Sequence, residues 1–185
     1  MHTFKGSAKG SDGNSFALPF INQKRRSKVR VIDFFPPDLK EFSHHVDVSD
    51  QQMPSSLNNS WTSDFEWDFF LLLEDMAPRL VTDTQKPTMW VHVSNESAQY
   101  LLKEDAADLQ SDARQLGLLR EKLFLLWGNL EEIKTVSPEF KPMPENQAFE
   151  CCIAEYGQEL DIVDRVDQDK REWIRTFEMF GVTID

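Results

Sequence analysis

Hydrophobic and polar positions alternate in four places along the chain. Val29 and Val31 alternate with Lys28 and Arg30, and Ile32, Phe34 and Phe35 follow before Pro36-Pro37 stops the run. Proline cannot donate to a ladder, so this pattern predicts a strand of about eight residues ending at the prolines. Phe65, Trp67, Phe69, Leu71 and Leu73 fall on one face of the next run, with Glu66, Asp68, Phe70, Leu72 and Glu74 on the other. Strict period two predicts one strand with a single face in the core. Met89, Val91 and Val93 against Trp90 and His92 predict a third strand over Thr88–Val93. Phe149, Cys151 and Ile153 against Cys152, Ala154 and Tyr156 predict a fourth, and Trp173 to Ile184 a last one. The stretch Leu160–Asp164 reads as a short strand or a turn.

Between the third and fourth strands the period changes. Asn95 is placed to cap a helix containing Ala98, Leu101 and Leu102. A longer helix is predicted from Asp112 to Trp127. Leu116, Leu119, Leu123, Phe124, Leu126 and Trp127 gather on one side of it, and Gly128 suits its end. Residues 47–63, 78–87 and 137–146 read as loops. Residues 1–19 read as a flexible arm of Gly, Ser, Lys and Asn, and 20–185 as one domain.

The resulting order, β-β-β-α-β-β, is that of an OB-fold: a small five-stranded barrel, mainly β with helices (α+β), with a helical connection between strands 3 and 4. The same string also fits a split sandwich or an open α+β sheet.

Composition narrows the function. The chain has 185 residues, 40% of them hydrophobic, which excludes disorder throughout. Its longest apolar run, Phe69–Leu73, is far short of the ~20 residues a membrane helix needs. Two cysteines, adjacent at Cys151 and Cys152, offer no disulfide framework and fit a reduced compartment. Net charge is −12, but unevenly spread. Lys5, Lys9, Lys24, Arg25, Arg26, Lys28 and Arg30 face only Asp12 in the first 32 residues, so that segment is +6 and the remainder −18. An acidic body repels a polyanion. The basic run, with Phe20, Phe34 and Phe35 close to it, still leaves single-strand DNA binding as an alternative. The run also fits a nuclear import signal.

Three stretches resemble the carboxy-terminal region of the protection-of-telomeres family, the shelterin subunit that caps chromosome ends. They are Pro19-Phe-Ile-Asn-Gln-Lys-Arg-Arg-Ser-Lys-Val-Arg-Val-Ile-Asp-Phe-Phe-Pro-Pro37, Phe65-Glu-Trp-Asp-Phe-Phe-Leu-Leu-Leu-Glu-Asp75, and Tyr100-Leu-Leu-Lys-Glu-Asp105 with Leu119-Arg-Glu-Lys-Leu-Phe-Leu-Leu-Trp-Gly-Asn-Leu-Glu-Glu132. Phe149–Gly157 and Trp173–Ile184 extend the likeness, which is greatest to fungal, fission-yeast-type members. The resemblance implies an OB-fold that binds a short segment of the bridging shelterin subunit. Telomeric single-stranded DNA would be bound by other domains of a longer protein, and the location would be the nucleus, at telomeres. Animal members carry an inserted nuclease-like domain and a cysteine-based zinc site; this chain has room for no such insertion and only two cysteines.

The residues themselves supply no enzyme signature. There is no GxSxG, HExxH or phosphate loop. Glu66 and Asp68 share an exposed strand face that would not split their pKa values for acid–base work. Cys151 and Cys152 point to opposite faces of a strand, so one ion cannot take both together with His44 and His45. Asp161, Asp164, Asp167 and Asp169 lack the glycine and terminal glutamate of a calcium loop. No catalytic residue, metal or cofactor is expected.

What remains is a surplus of apolar residues on faces that patterning assigns to solvent. Leu118 and Leu125 lie opposite the core stripe of the long helix. Phe70, Leu72, Trp90 and Phe180 lie on the outer faces of strands. Exposed apolar patches mark partner sites, so these six are the expected partner-binding residues. Leu118 and Leu125 on one helix line suit a partner helix with Leu or Ile anchors, and the acidic body suits an Arg or Lys beside them.

Overall fold

The structure is a computed structural model that describes residues 6–9, 15–18, 21–46, 64–77, 86–136, 146–159 and 173–184. Its strands are β1 (Gly6–Lys9), β2 (Ser15–Leu18), β3 (Lys24–Phe35), β4 (Ser43–His45), β5 (Phe65–Trp67), β6 (Phe69–Asp75), β7 (Thr88–Val93), β8 (Phe149–Glu159) and β9 (Trp173–Phe180). A 3-10 turn spans Leu39–Glu41, and three helices, α1 (Asn95–Leu102), α2 (Ala113–Trp127) and α3 (Leu130–Val136), separate β7 from β8. The architecture is sheet-dominant α+β.

Five strands close in the order β3-β6-β7-β9-β8. Neighbours are antiparallel except β7 and β9, which run parallel at His92 and Glu178. Closure leaves none of these five strands with an open edge. β3 makes the closure possible. Its first half pairs with β8, from Lys24 opposite Ala154 to Val29 opposite Phe149. Its second half pairs with β6, from Val29 opposite Asp75 to Phe35 opposite Phe70. A register shift between Val31 and Asp33 interrupts the alternation there. Val29 and Val31 point inward before it and Phe34 after it, all nearly inaccessible. An extra residue of this kind bends a strand and re-aims the side chains beyond it.

The helices cover the end of the barrel where β7 finishes. Trp127 of α2 stacks on Phe34, with ring centroids 4.6 Å apart. Phe42 stacks on Phe69 at 4.4 Å and meets Phe34 edge-on at 5.8 Å. Such a cluster of large rings, each with a full set of neighbours, dominates core energetics. α1 is tied in by its ends: the Asn95 side chain accepts the Trp67 N–H at 3.1 Å, and the Leu101 carbonyl accepts the Ile184 N–H at 2.9 Å.

Several expectations need correction. The first strand is twelve residues long, because Lys24–Ser27 have a partner in β8 that no apolar alternation advertises. The single strand expected over 65–74 is two. Asp68 donates its N–H to the Phe42 carbonyl, so β5 pairs with β4 while β6 joins the barrel. Ser94, not Asn95, holds the extended N-cap position of α1. α3 was not foreseen: seven residues with one buried apolar side chain, Leu130, give little periodic signal. Phe124 is 58% exposed rather than core. At 100° per residue it lies roughly 110° from the middle of the buried stripe, beyond the reach of the barrel. Arg30, which alternates with inward Val29 and Val31, is nonetheless buried against Glu74 at 2.5 Å. The last strand ends at Phe180, where Gly181 takes φ +68°. Within the arm expected at 1–19, Gly6–Lys9 and Ser15–Leu18 pair as antiparallel strands. The loops expected at 47–63 and 137–145, most of that at 78–87, and the aspartates from 161 to 169 lie outside the described residues.

Candidate protein-interaction site

Sequence placed the candidate site on Leu118, Leu125, Phe70, Leu72, Trp90 and Phe180. The fold puts these residues in three places.

The first place is the outer ridge of α2. Asp112 caps the helix by accepting the Arg114 and Gln115 N–H groups at 2.9 and 3.0 Å. Gly128 ends it with φ +61°, a conformation that glycine adopts without strain. Between these stops Leu116, Leu119, Leu123, Leu126 and Trp127 are buried. Leu125 is 66% exposed and Leu118 37%. Phe124 adds to the ridge, so its exposed apolar surface is larger than the pattern predicted. Leu118 also lines a small crevice with Trp67, Leu102, Leu109 and Leu119, and Glu104, Asp105 and Lys122 stand at its edge. Lys122 is held there by Glu104 Oε1 at 2.9 Å and by the Leu102 carbonyl. The crevice therefore has apolar walls and an acidic lip.

The second place is the outer face of β3, β6 and β7. Opposed residues in a ladder share a face. The register aligns Phe35, Phe70 and His92 in one row, and Asp33, Leu72 and Trp90 in the next. Phe70 and His92 are in ring contact at 4.9 Å. Phe35 is 56% exposed and Trp90 43%. Three predicted residues thus meet, and Phe35 joins them. The strand pattern around Phe34-Phe35 showed two adjacent aromatics; only the bulge decides that Phe35 faces out. The ionisable groups that border this face are acidic or paired. His92 Nε2 lies 2.7 Å from Asp68 Oδ1, and Lys134 of α3 donates to Asp33 Oδ1 at 2.6 Å.

The third place holds Phe180 alone. It is opposite Cys152 in the ladder, half-buried, with Lys24 Nζ 5.0 Å above its ring.

This arrangement bears on the DNA alternative. Phe34 is buried, and Phe35 lies ten residues along β3 from Arg25, roughly 33 Å at strand rise. Lys24, Arg25, Arg26 and Lys28 lie in the opposite half of the strand from the aromatics of that run, and Arg30 between them is buried against Glu74. A stacking platform needs them interleaved; Phe20 lies outside the described residues.

Cys151 is buried and Cys152 half-buried, and both are free thiols. Burial, and then the neighbouring Cys152 charge, push the Cys151 thiol up to about 12. His44 and His45 sit in β4, paired with Glu66 and Phe65 of β5. Among the described residues no group of three or more His, Cys, Asp or Glu side chains is placed to hold a metal ion. None of the described helices is long and apolar enough to cross a membrane.

Fold and surfaces together define a small α+β barrel domain that presents apolar patches outside its core. No protein-family model matches the chain. It is 30% identical over 110 residues, 60% of its length, to protection of telomeres protein 1 of Schizosaccharomyces pombe. The chain spans 17% of that relative. The crystal structure of fission yeast Pot1 and Tpz1 contains a chain that superposes with a TM-score of 0.60 at 26% identity, covering 89% of this chain and 84% of that one. The chain is thus similar, in sequence and in fold, to a protection-of-telomeres protein.

Proposed function

We propose that this domain is an OB-fold used as a non-catalytic protein-interaction module, which tethers a telomere end-protection protein to a bridging subunit of the Tpz1 kind. The observation that carries the reading is the solved structure of fission yeast Pot1 with Tpz1, whose similar chain accounts for 89% of this one. The strand order, with β7 and β9 parallel and the helices inserted after the third barrel strand, agrees with an OB topology. The site of action is the telomere, in the nucleus.

The α2 ridge is the proposed seat. A partner helix packs its Leu or Ile anchors, three or four residues apart, along Leu118, Phe124 and Leu125. Asp105 and Glu121 favour an Arg or Lys beside the anchors. Fully desolvated apolar anchors dominate such interfaces, with a polar rim around them. Leu125→Asp is expected to weaken capture of the bridging subunit by about 2 kcal/mol or more while the domain stays folded. Isothermal titration with the purified subunit, paired with circular dichroism of the variant, checks this. Normal binding by both Leu118→Asp and Leu125→Asp would move the seat to Phe35, Phe70, Leu72 and Trp90.

A steeply salt-dependent, nanomolar affinity of the isolated chain for telomeric single strand would overturn the interaction-only reading. The separation of basic and aromatic residues along β3 argues for weak DNA binding or none.

A further inference from the structure

α2 contains a glycine that the domain's own packing does not call for. Gly117 lies in the interior of the helix, in ordinary helical backbone, whereas Gly128 and Gly181 take positive φ. Glycine is a poorer helix former than alanine, because ordering it loses more backbone entropy. A glycine inside a helix therefore has a packing or functional reason, most simply the close approach of another element. No described element approaches here: a Cβ built on Gly117 would have no neighbour within 4 Å.

The position points outward. At 100° per residue, Phe124, Gly117, Glu121, Leu125 and Leu118 follow one another around the helix over roughly 120°, centred on Glu121 and nearly opposite the buried stripe. Residues i, i+3, i+4 and i+7 of a helix border one hole for a partner's side chain. For Gly117 the other three are Arg120, Glu121 and Phe124. With no side chain at 117, the hole is deepest there.

Glu121 is the unbalanced charge at this hole. Its neighbours three and four residues away are Gly117, Leu118, Phe124 and Leu125, so no cation stands at a pairing distance on its own helix. The cations next to it in sequence are engaged elsewhere. Arg120 Nε donates to both carboxylate oxygens of Glu131 on α3, at 2.9 and 3.2 Å. Lys122 is held by Glu104 and the Leu102 carbonyl. Arg114 is two turns away, roughly 10 Å at helix rise. Solvated helix faces set opposite charges three or four residues apart; this one sets a lone carboxylate among exposed apolar side chains.

We propose that Gly117 and Glu121 determine the specificity of the α2 ridge. One Leu or Ile of a partner helix seats over Gly117, and a Lys or Arg one turn away on the same helix pairs with Glu121. The inference rests on the ridge being the seat of the bridging subunit. The distance between packed helices is set by the side chains at the contact, so the two axes come closest at Gly117. A helix carrying Asp or Glu opposite Glu121 is rejected by like-charge repulsion.

The test is calorimetric titration of the 185-residue chain and its variants with the purified bridging subunit, alongside thermal unfolding of each variant. Gly117→Ala is expected to raise the melting temperature by roughly 2–4 °C, because the added methyl meets nothing within the domain. The same change is expected to weaken binding, and Gly117→Leu, which fills the hole, to weaken it by roughly tenfold or more. Glu121→Lys is expected to weaken binding by roughly tenfold or more. Changing the Lys and Arg residues of the bound segment to Glu one at a time should yield a subunit that fails on the wild type and recovers on Glu121→Lys. A lower melting temperature for Gly117→Ala would give the glycine to the fold and overturn the proposal. So would unchanged binding by Gly117→Leu or by Glu121→Lys, or the absence of any rescuing subunit, while Leu125→Asp still abolishes binding; the ridge would then stand without this specificity. Normal binding by both Leu118→Asp and Leu125→Asp would remove the ridge itself, and the proposal with it.

Discussion

The two ends of the barrel are built from the same five strands and differ in what their inward positions carry. At the helix end those positions are Phe34, Phe69 and Leu71, closed over by Trp127 and Phe42, all essentially inaccessible. At the other end they are Arg25, Glu155 and Arg175 around a cavity. Alternation along each strand is satisfied at both ends, so alternation alone does not separate the packed end from the end with the cavity. The chemistry of the inward residues does. Large stacked rings without a cavity stabilise. Oriented charges over an apolar floor cost desolvation and leave a cavity unfilled.

The comparison is broken most directly at Trp127. Trp127→Ala is expected to destabilise the domain by about 3–5 kcal/mol, read from urea unfolding, because it empties the centre of the ring cluster. A loss below about 1 kcal/mol would mean that the helix end is not the stabilising one. Glu155→Ala should cost less, about 2–3 kcal/mol, since it strands Arg175, which keeps some access to water. The double change Glu155→Leu with Arg175→Leu should recover most of that loss. Recovery would show that the pair adds little stability there; no recovery would make that end of the barrel a structural element.

Cys151 lies between the two ends, and its thiol sharpens the comparison through pH. The folded pKa is raised to about 12 from an ordinary 9.0. The unfolded chain therefore loses this proton first. Between these values the native state holds more protons, and stability falls as pH rises, by about 1.4 kcal/mol per pH unit; below pH 9 the group contributes nothing. Urea midpoints from pH 8 to 10.5 should fall more steeply for the wild type than for Cys151→Ala. In the native state maleimide should modify Cys152 first, with Cys151 protected until unfolding.

The smallest effects distinguish the two ridge leucines. Leu125→Asp should cost under about 1 kcal/mol of stability, because its side chain is mostly in water. Leu118→Asp should cost about 1–2 kcal/mol, because it helps to wall the crevice beside Trp67 and Leu102. Equal costs would show that the crevice does not matter to the fold.

Much of the core was legible because period two and period 3.6 are local properties. Val91 and Val93, Leu71 and Leu73, Cys151 and Ile153, and Leu116, Leu119, Leu123 and Leu126 on α2 are buried where the patterns put them. The candidate site was legible only as a set of misplaced apolar residues. Phe70, Leu72 and Trp90 come from two strands, and their adjacency depends on a register that neither strand encodes alone. Phe180 shared the same signal yet sits on another face of the barrel. Phe124 was missed because it lies at the edge of a helical stripe, where the shape of the partner surface decides burial.

Local periodicity by itself located the five barrel strands, α1, α2 and most of the buried stripe of α2, since each follows from side-chain spacing along one segment, though not the bounds of those strands. Tertiary structure alone decided three things. The division of Phe65–Asp75 between two sheets follows from a hydrogen bond between Asp68 and distant Phe42. The choice of Phe34 over Phe35 for the core follows from a bulge set by pairing with β6. The burial of Arg30 follows from its pairing with Glu74 across the ladder. In each case the deciding partner is remote in sequence, and only the closed ladder brings it within hydrogen-bonding or packing distance.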